Sequence, residues 1–310
     1  MYISRKAFTF IEMILVMIVL GIVASIGASI ISQTYQSYLM QKAIHAASFK
    51  SELAVNSIAN RLAYRIDISA AARKPGQSGY TVGTDIYPLI SIPESKKAEF
   101  NILEWIGYDN DGFSNSNSPG WSGFADLDLS SFGSIVSTGS NGSTETTILA
   151  NLDLNGSLGL MFKGSQIYRN DTNASYNTSC MYASGSSSCM FPVSINGNTI
   201  SFSGGDRQNG QMEYSEFYQL AATAYSIVPI NKHQINNVWV WDLELHSNYQ
   251  PWDGEDYTQA GTKSIIARNV SVFRFTQEPN SIRLKICTVS QIGNGDQGQI
   301  SICKEKAVIR

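Results

Sequence analysis

Charge is scarce in this chain. Only 15% of its 310 residues are Asp, Glu, Lys or Arg, and it has three histidines and eight prolines. Lys and Arg number 22 against 25 Asp and Glu, for a net charge of −3. No basic stripe is available to grip phosphates, so no direct nucleic-acid ligand is expected. The four cysteines show no CxxC spacing and have no neighbouring histidine, which argues against a zinc site. There is no GxSxG elbow and no glycine-rich phosphate loop after a strand, and His45, His233 and His246 fall in no recognisable relay. An enzyme is therefore not expected.

The chain does contain a long apolar run. Residues 8–31 lack proline and are interrupted only by Thr9, Glu12, Ser25 and Ser29. As a helix this run reaches roughly 36 Å, enough to cross a hydrocarbon core of about 30 Å. A carboxylate near hydrocarbon costs roughly 2.5–3.5 kcal/mol on insertion scales, so Glu12 needs a partner or a use. Arg5 and Lys6 precede the run, which holds the first residues in the cytoplasm and sends the rest across the membrane. Three readings compete: a removable secretory signal, a permanent single-span anchor, and a leader cut before the apolar segment. A secretory signal has an apolar region of about 7–15 residues, shorter than this one, and an anchor has no reason for Glu12.

The residues Arg5-Lys6-Ala7 followed by Phe8-Thr9-Phe10-Ile11-Glu12 resemble the leader and mature start of type IV pilins and type II secretion pseudopilins. The resemblance implies a leader over residues 1–7, cleavage after Ala7 by a prepilin peptidase, and methylation of the new amino group of Phe8. The family usually carries glycine where this chain has Ala7. It also implies that Glu12 pairs with the N-terminal amine of a neighbouring subunit, two charges that attract strongly in a low dielectric. The runs Ser57-Ile58-Ala59-Asn60-Arg61-Leu62-Ala63-Tyr64-Arg65-Ile66 and Asn269-Val270-Ser271-Val272-Phe273-Arg274-Phe275 look like the larger minor pilins and minor pseudopilins.

Residues 32–72 contain neither glycine nor proline and read as one continuing helix, with an amphipathic half over 32–74. Tyr35, Leu39, Ala46, Phe49 and Leu53 fall along one side, and Ile44, Val55, Ile58, Leu62 and Ile66 along another. Two apolar faces suit two neighbours, the protein's own sheet and adjacent subunits, although both could also lie in one core. Pro75-Gly76 ends the helix, and residues 75–310 read as an exported β-rich domain. Strands are expected over 98–107, 146–154, 158–163, 213–220, 224–230, 237–245, 269–276, 281–289 and 300–309, with a surface loop over 171–188. The expected fold is α+β, a long N-terminal helix packed on a mainly antiparallel sheet.

Export places the cysteines in an oxidising compartment. Four cysteines permit three connectivities, and the local pairs Cys180–Cys189 and Cys287–Cys303 each bracket a loop. Asp109-Asn110-Asp111-Gly112 fails as an EF-hand because Gly107 and Ser118 stand where acids are required. Calcium binds some members of the family that the chain resembles, so Asp109, Asp111, Asp126 and Asp128 form a candidate calcium site beside the alternative of a plain Asx-rich turn. Asn155 and Asn173 fit an extended acidic glycosylation sequon, with solvated loop as the default.

These readings favour a minor pilin-like subunit that assembles through its helix into a pilus or secretion pseudopilus. The implied partners are prepilin peptidase, other pilin or pseudopilin subunits and an inner-membrane assembly platform. The implied location is the inner membrane, single pass, with the C-terminal domain in the periplasm. A filament-tip adhesin or substrate-binding module using Trp121, Trp239, Trp241 and Trp252 is the alternative, and an anchored periplasmic enzyme is a third.

Overall fold

A computed structural model describes residues 9–115, 118–131, 133–154, 157–163, 167–169, 172–174, 178–182, 188–202, 215–293 and 298–309. The fold is α+β, with one long N-terminal helix and an open sheet whose strands all pair antiparallel.

Helix α1 runs unbroken over Phe10–Leu62. It stops short of the expected Ala72 because the backbone beyond it is taken up by a strand. The Ile66 N–H donates to the Ile106 carbonyl and the Tyr108 N–H to the Tyr64 carbonyl. The chain then passes through a 3-10 turn, Asp67–Ser69, into β1, Ala71–Arg73. Strand β2 is Ile86–Pro88 and β3 is Ile102–Tyr108, which overlaps the expected first strand over 98–107 but starts later and is preceded by these two.

Asp109 does not make a simple turn: it caps a short helix α2, Asn110–Phe113, by accepting from the Gly112 N–H. Strands β4, Asp126–Ser131, and β5, Ser134–Val136, follow. The expected strand over 146–154 is instead helix α3, Gly142–Asn151. Its start is fixed by Asn141, whose Oδ1 accepts from the Ser143 and Thr144 N–H groups and so satisfies donors that a helix start leaves open. The β-branched residues Thr144, Thr146, Thr147 and Ile148 favour strand on propensity, and this cap overrides them.

Strand β6 is Leu158–Phe162, and β7, Ile167–Arg169, pairs with β8, Thr172–Ala174, as a separate hairpin. Helix α4, Thr178–Tyr182, lies where surface loop was expected; Met181 and Tyr182 are fully buried, and the Tyr182 hydroxyl donates to the Ser69 carbonyl at 2.8 Å. Strands β9, Phe191–Asn196, and β10, Thr199–Phe202, lead to β11, Tyr218–Ile235. Two separate strands were expected here. They form one long strand, and the irregularity between them shows as a register shift at Ala221/Thr223 against β3. The start of the first, over 213–214, lies outside the described residues.

The meander closes with β12, Val238–Ser247; β13, Thr262–Glu278; β14, Ser281–Gln291; and β15, Gln299–Ile309. The main path of the sheet is β15-β14-β13-β12-β11-β6-β9-β10-β5-β4, with β3, β1 and β2 branching from β11. The expected hairpin across Pro279-Asn280 and the expected last edge strand are both present.

Helix α1 lies on β13, β14 and β15. Val55, Ile58 and Leu62 are buried against Ile282, Leu284, Ile286 and Val308. Small side chains at Ala43, Ala47, Ser51 and Ala54 permit close approach, and the Thr288 hydroxyl donates to the Ala47 carbonyl at 2.8 Å. Of the two expected apolar faces, the one carrying Val55, Ile58, Leu62 and Ile66 is buried, whereas Tyr35, Phe49 and Leu53 are exposed. Ile44, expected on the same line as Val55 and Ile58, is 37% exposed.

Candidate functional site

Among the described residues, no residue of α1 before Ala43 is buried. Its most apolar 18-residue window has a mean hydropathy of 2.8 and none of it is buried, so this one helix is long and apolar enough to cross a membrane. Glu12 sits in the first turn, exposed, and is the only charged residue before Lys42 in the helix. Its backbone N–H donates to the Thr9 carbonyl at 3.1 Å. A carboxylate near a helix N-terminus is favoured by the backbone dipole. That interaction does not replace a counter-charge inside hydrocarbon. Ala7 and Phe8, expected at the processing point, lie outside the described residues.

Both local cysteine pairs are at disulfide distance. Cys180 and Cys189 tie α4 to the start of the β9 segment, and the Cys189 N–H donates to the Cys180 carbonyl at 3.0 Å. Cys287 and Cys303 face each other in register on β14 and β15. Asn155 is outside the described residues. Asn173 lies on the β7–β8 hairpin, opposite Tyr168.

The four candidate calcium aspartates do not converge. Asp126 Oδ1 accepts from the Asp128 and Leu129 N–H groups of its own segment. Asp109 is buried elsewhere, and its Oδ2 accepts from the Trp121 indole at 2.8 Å. Among the described residues no group of three or more His, Cys, Asp or Glu side chains is placed to hold a metal ion.

Asp109 instead meets Glu145 of α3, which is 1% exposed. A Cβ added to Gly112 would lie 2.0 Å from Asp109 Oδ2 and 2.1 Å from Glu145 Oε2, so the two carboxyls crowd one point. A Cβ at Gly120 would lie 1.9 Å from Glu145 Oε2, so a side chain at either glycine would displace the carboxyls. No backbone N–H and no side chain other than the Asp109 carboxyl satisfies either Glu145 oxygen. Burial, then the adjacent Asp109 charge, pushes the Glu145 carboxyl up to about 9. Burial also raises Asp109, against the Gly112 N–H, which favours its charged form. One proton held between two facing carboxyls removes the repulsion. Glu145 could not be picked out while its segment read as a strand; the Asn141-Gly142-Ser143 cap was the available signal.

A second buried charge cluster is fully bonded. Arg73 and Glu104 are both completely buried, with Nη1 2.9 Å from Glu104 Oε2. The other Arg73 nitrogens donate to the carbonyls of Gln77 and Gly79, and the Tyr249 hydroxyl donates to Glu104 Oε1 at 2.7 Å. Burial acts to lower the Arg73 pKa, but the Glu104 charge and the hydrogen bonds hold it above the ordinary value. Tyr80 and Tyr257 lie against the guanidinium at 4.3 and 4.9 Å from ring centroid to carbon. This network locks the chain just after α1 to the sheet.

Of the four tryptophans considered for surface binding, Trp121 and Trp252 are buried at 2% and 1% exposure. Trp239 is 49% exposed on the β11–β12 hairpin, with Lys232 Nζ 4.7 Å from its ring, and Trp241 is half-buried beside it. His246 is not a surface residue: it is buried between the Tyr257 carbonyl and Glu244, both at 2.7 Å. Comparison with family models, with curated proteins and with solved structures finds no match to this chain.

Proposed function

We propose that the chain is a membrane-anchored, pilin-like filament subunit, of the minor pilin or minor pseudopilin kind, that assembles through α1. The observation that carries this reading is Glu12, the lone charge in an apolar helical stem that stays exposed among the described residues. The stem is continuous with a second half that packs on the sheet, so a force or displacement at one end reaches the other. Held in the inner membrane with its β-rich part in the periplasm, the subunit would be processed after Ala7 by prepilin peptidase. An assembly platform would then draw it out, with Glu12 meeting the amine of Phe8 on a neighbouring subunit. Removing one member of a buried ion pair costs roughly 3–5 kcal/mol.

Two measurements test this. Mass spectrometry of the mature N-terminus should find methylated Phe8, and an intact Met1 would refute processing. Glu12→Ala should abolish incorporation into filaments while leaving the membrane-held protein abundant; unchanged incorporation would refute the assembly role.

A second reading, recognition of a ligand at the filament surface, is favoured only by the exposed Trp239 and its partner Trp241. It predicts normal filaments with lost adhesion in Trp239→Ala.

A further inference from the structure

We propose that the outward stripe of α1 in one copy of this chain seats on an acid-rimmed apolar patch at the far edge of the sheet in a second copy. The proposal rests on the assembly reading above and names a contact its folded part would make.

At about 100° per residue, Lys42, His45, Phe49 and Leu53 share one line along α1, opposite the line of Ala43, Ala47, Ala54 and Ile58 that meets the sheet. Phe49 is 61% exposed and Leu53 is 56% exposed, and the His45 ring stacks on Phe49 with centroids 6.4 Å apart. Lys42 is exposed on the stripe, and Lys50, also exposed, lies about 100° round from Phe49 on the side of Ala43. The nearby acid, Glu52, is already held by Lys304 at 3.5 Å. The stripe is therefore apolar and cationic.

The sheet ends on the other side at β4, away from the strands that α1 covers. There Phe113, Phe124 and Phe217 are 46%, 41% and 57% exposed, and Leu129 is 66% exposed. Phe124 and Phe217 meet edge to face at 6.2 Å, and Gly123 links them to Phe113, whose ring would lie 3.5 Å from an added Cβ. Asp111, Asp128 and Glu216, close to these side chains in sequence, are exposed, with Asp126 half-buried; Lys163, whose backbone N–H donates to the Phe217 carbonyl, is the opposing charge.

Exposed apolar side chains rimmed by charge mark interaction surfaces. Here the two surfaces carry opposite charge. They sit at opposite ends of one sheet, so a single copy cannot close them on each other. Two different surfaces meeting make a head-to-tail contact, which propagates into an open chain when repeated.

The test places a photoreactive benzoylphenylalanine at position 49 of the full chain in its own membrane and maps the adducts by mass spectrometry. The expected adduct joins position 49 to residues 113–129 or 215–218 of another copy. Asp128→Lys with Glu216→Lys, both exposed, should reduce it at least tenfold, and Lys42→Glu in the same chain should restore it. An adduct to a different protein, to a neighbouring α1, or to nothing overturns the proposal, as does an adduct indifferent to both charge reversals. Glu12→Ala separates the two ideas. If filament incorporation ignores Glu12 while the adduct persists, the assembly reading fails and this contact stands. If incorporation depends on Glu12 and the adduct is missing, the contact fails alone.

Discussion

Replacing Glu145 by Gln should make the folded protein more stable, and increasingly so as pH rises. In the native state the Glu145 carboxyl is pushed up to about 9 by burial and the facing Asp109, whereas its ordinary value is 4.5. Between these values the folded state holds a proton that the unfolded chain releases. Glu145 is therefore harmless to stability below pH 4.5, and its penalty grows until pH passes about 9. The slope is about 1.4 kcal/mol per pH unit, or roughly 3 kcal/mol between pH 6 and pH 8 as an upper figure. Gln is close to isosteric, carries no titrating proton, and can donate its amide N–H to Asp109. Urea unfolding of the full chain in detergent micelles, followed by tryptophan fluorescence and repeated across pH 5–9, reads the difference directly. The gap between Glu145→Gln and the parent should widen steadily through this range. Parallel stability curves would show that no proton is held between the two carboxyls.

Two other changes test the framework around α1. Glu104→Gln leaves the Arg73 guanidinium buried without its counter-charge and should destabilise by roughly 3–5 kcal/mol, measured by the same unfolding assay; a loss under 1 kcal/mol would mean that water or another acid reaches Arg73. Cys287→Ser with Cys303→Ser opens a short closed loop and should lower stability by roughly 3 kcal/mol relative to the oxidised parent, with no difference once the parent is reduced.

Elements whose side chains announce one environment over many residues were legible in the sequence. The stem of α1 is apolar without a break, its second half shows two faces, and β14 alternates Ile282, Leu284 and Ile286 with Arg283 and Lys285. Glu12 was visible for the same reason, as a lone acid in an apolar run. Elements settled by a distant partner were not legible. The end of α1 depends on Ile106 and Tyr108 capturing the backbone after Leu62, and nothing near residue 62 announces that. α3 is set by one asparagine cap that overrides a strand-like run of Thr and Ile. Met181 and Tyr182 are surrounded by small polar residues in sequence, yet they fill space beneath β1 and β2. The Asp109–Glu145 pair was hidden because it joins segments brought together only by the sheet, while Asp126, near Asp109 in sequence, turns to its own backbone and Asp128 stays exposed.

Between Ile31 and Ala43, the first buried residue of α1, the helix runs roughly 18 Å at 1.5 Å per residue, exposed apart from Leu39, which is half-buried beside Gly293. This stretch contains no glycine or proline to act as a joint. The bearing of the sheet relative to Glu12 is thus set by counting residues: one residue added there would swing the whole head by about 100° and lift it about 1.5 Å. Length and azimuth are tied together in this shaft like the pitch of a screw, and a subunit altered by one residue beyond Leu39's contact would present its head to the wrong neighbour while its sheet stayed intact.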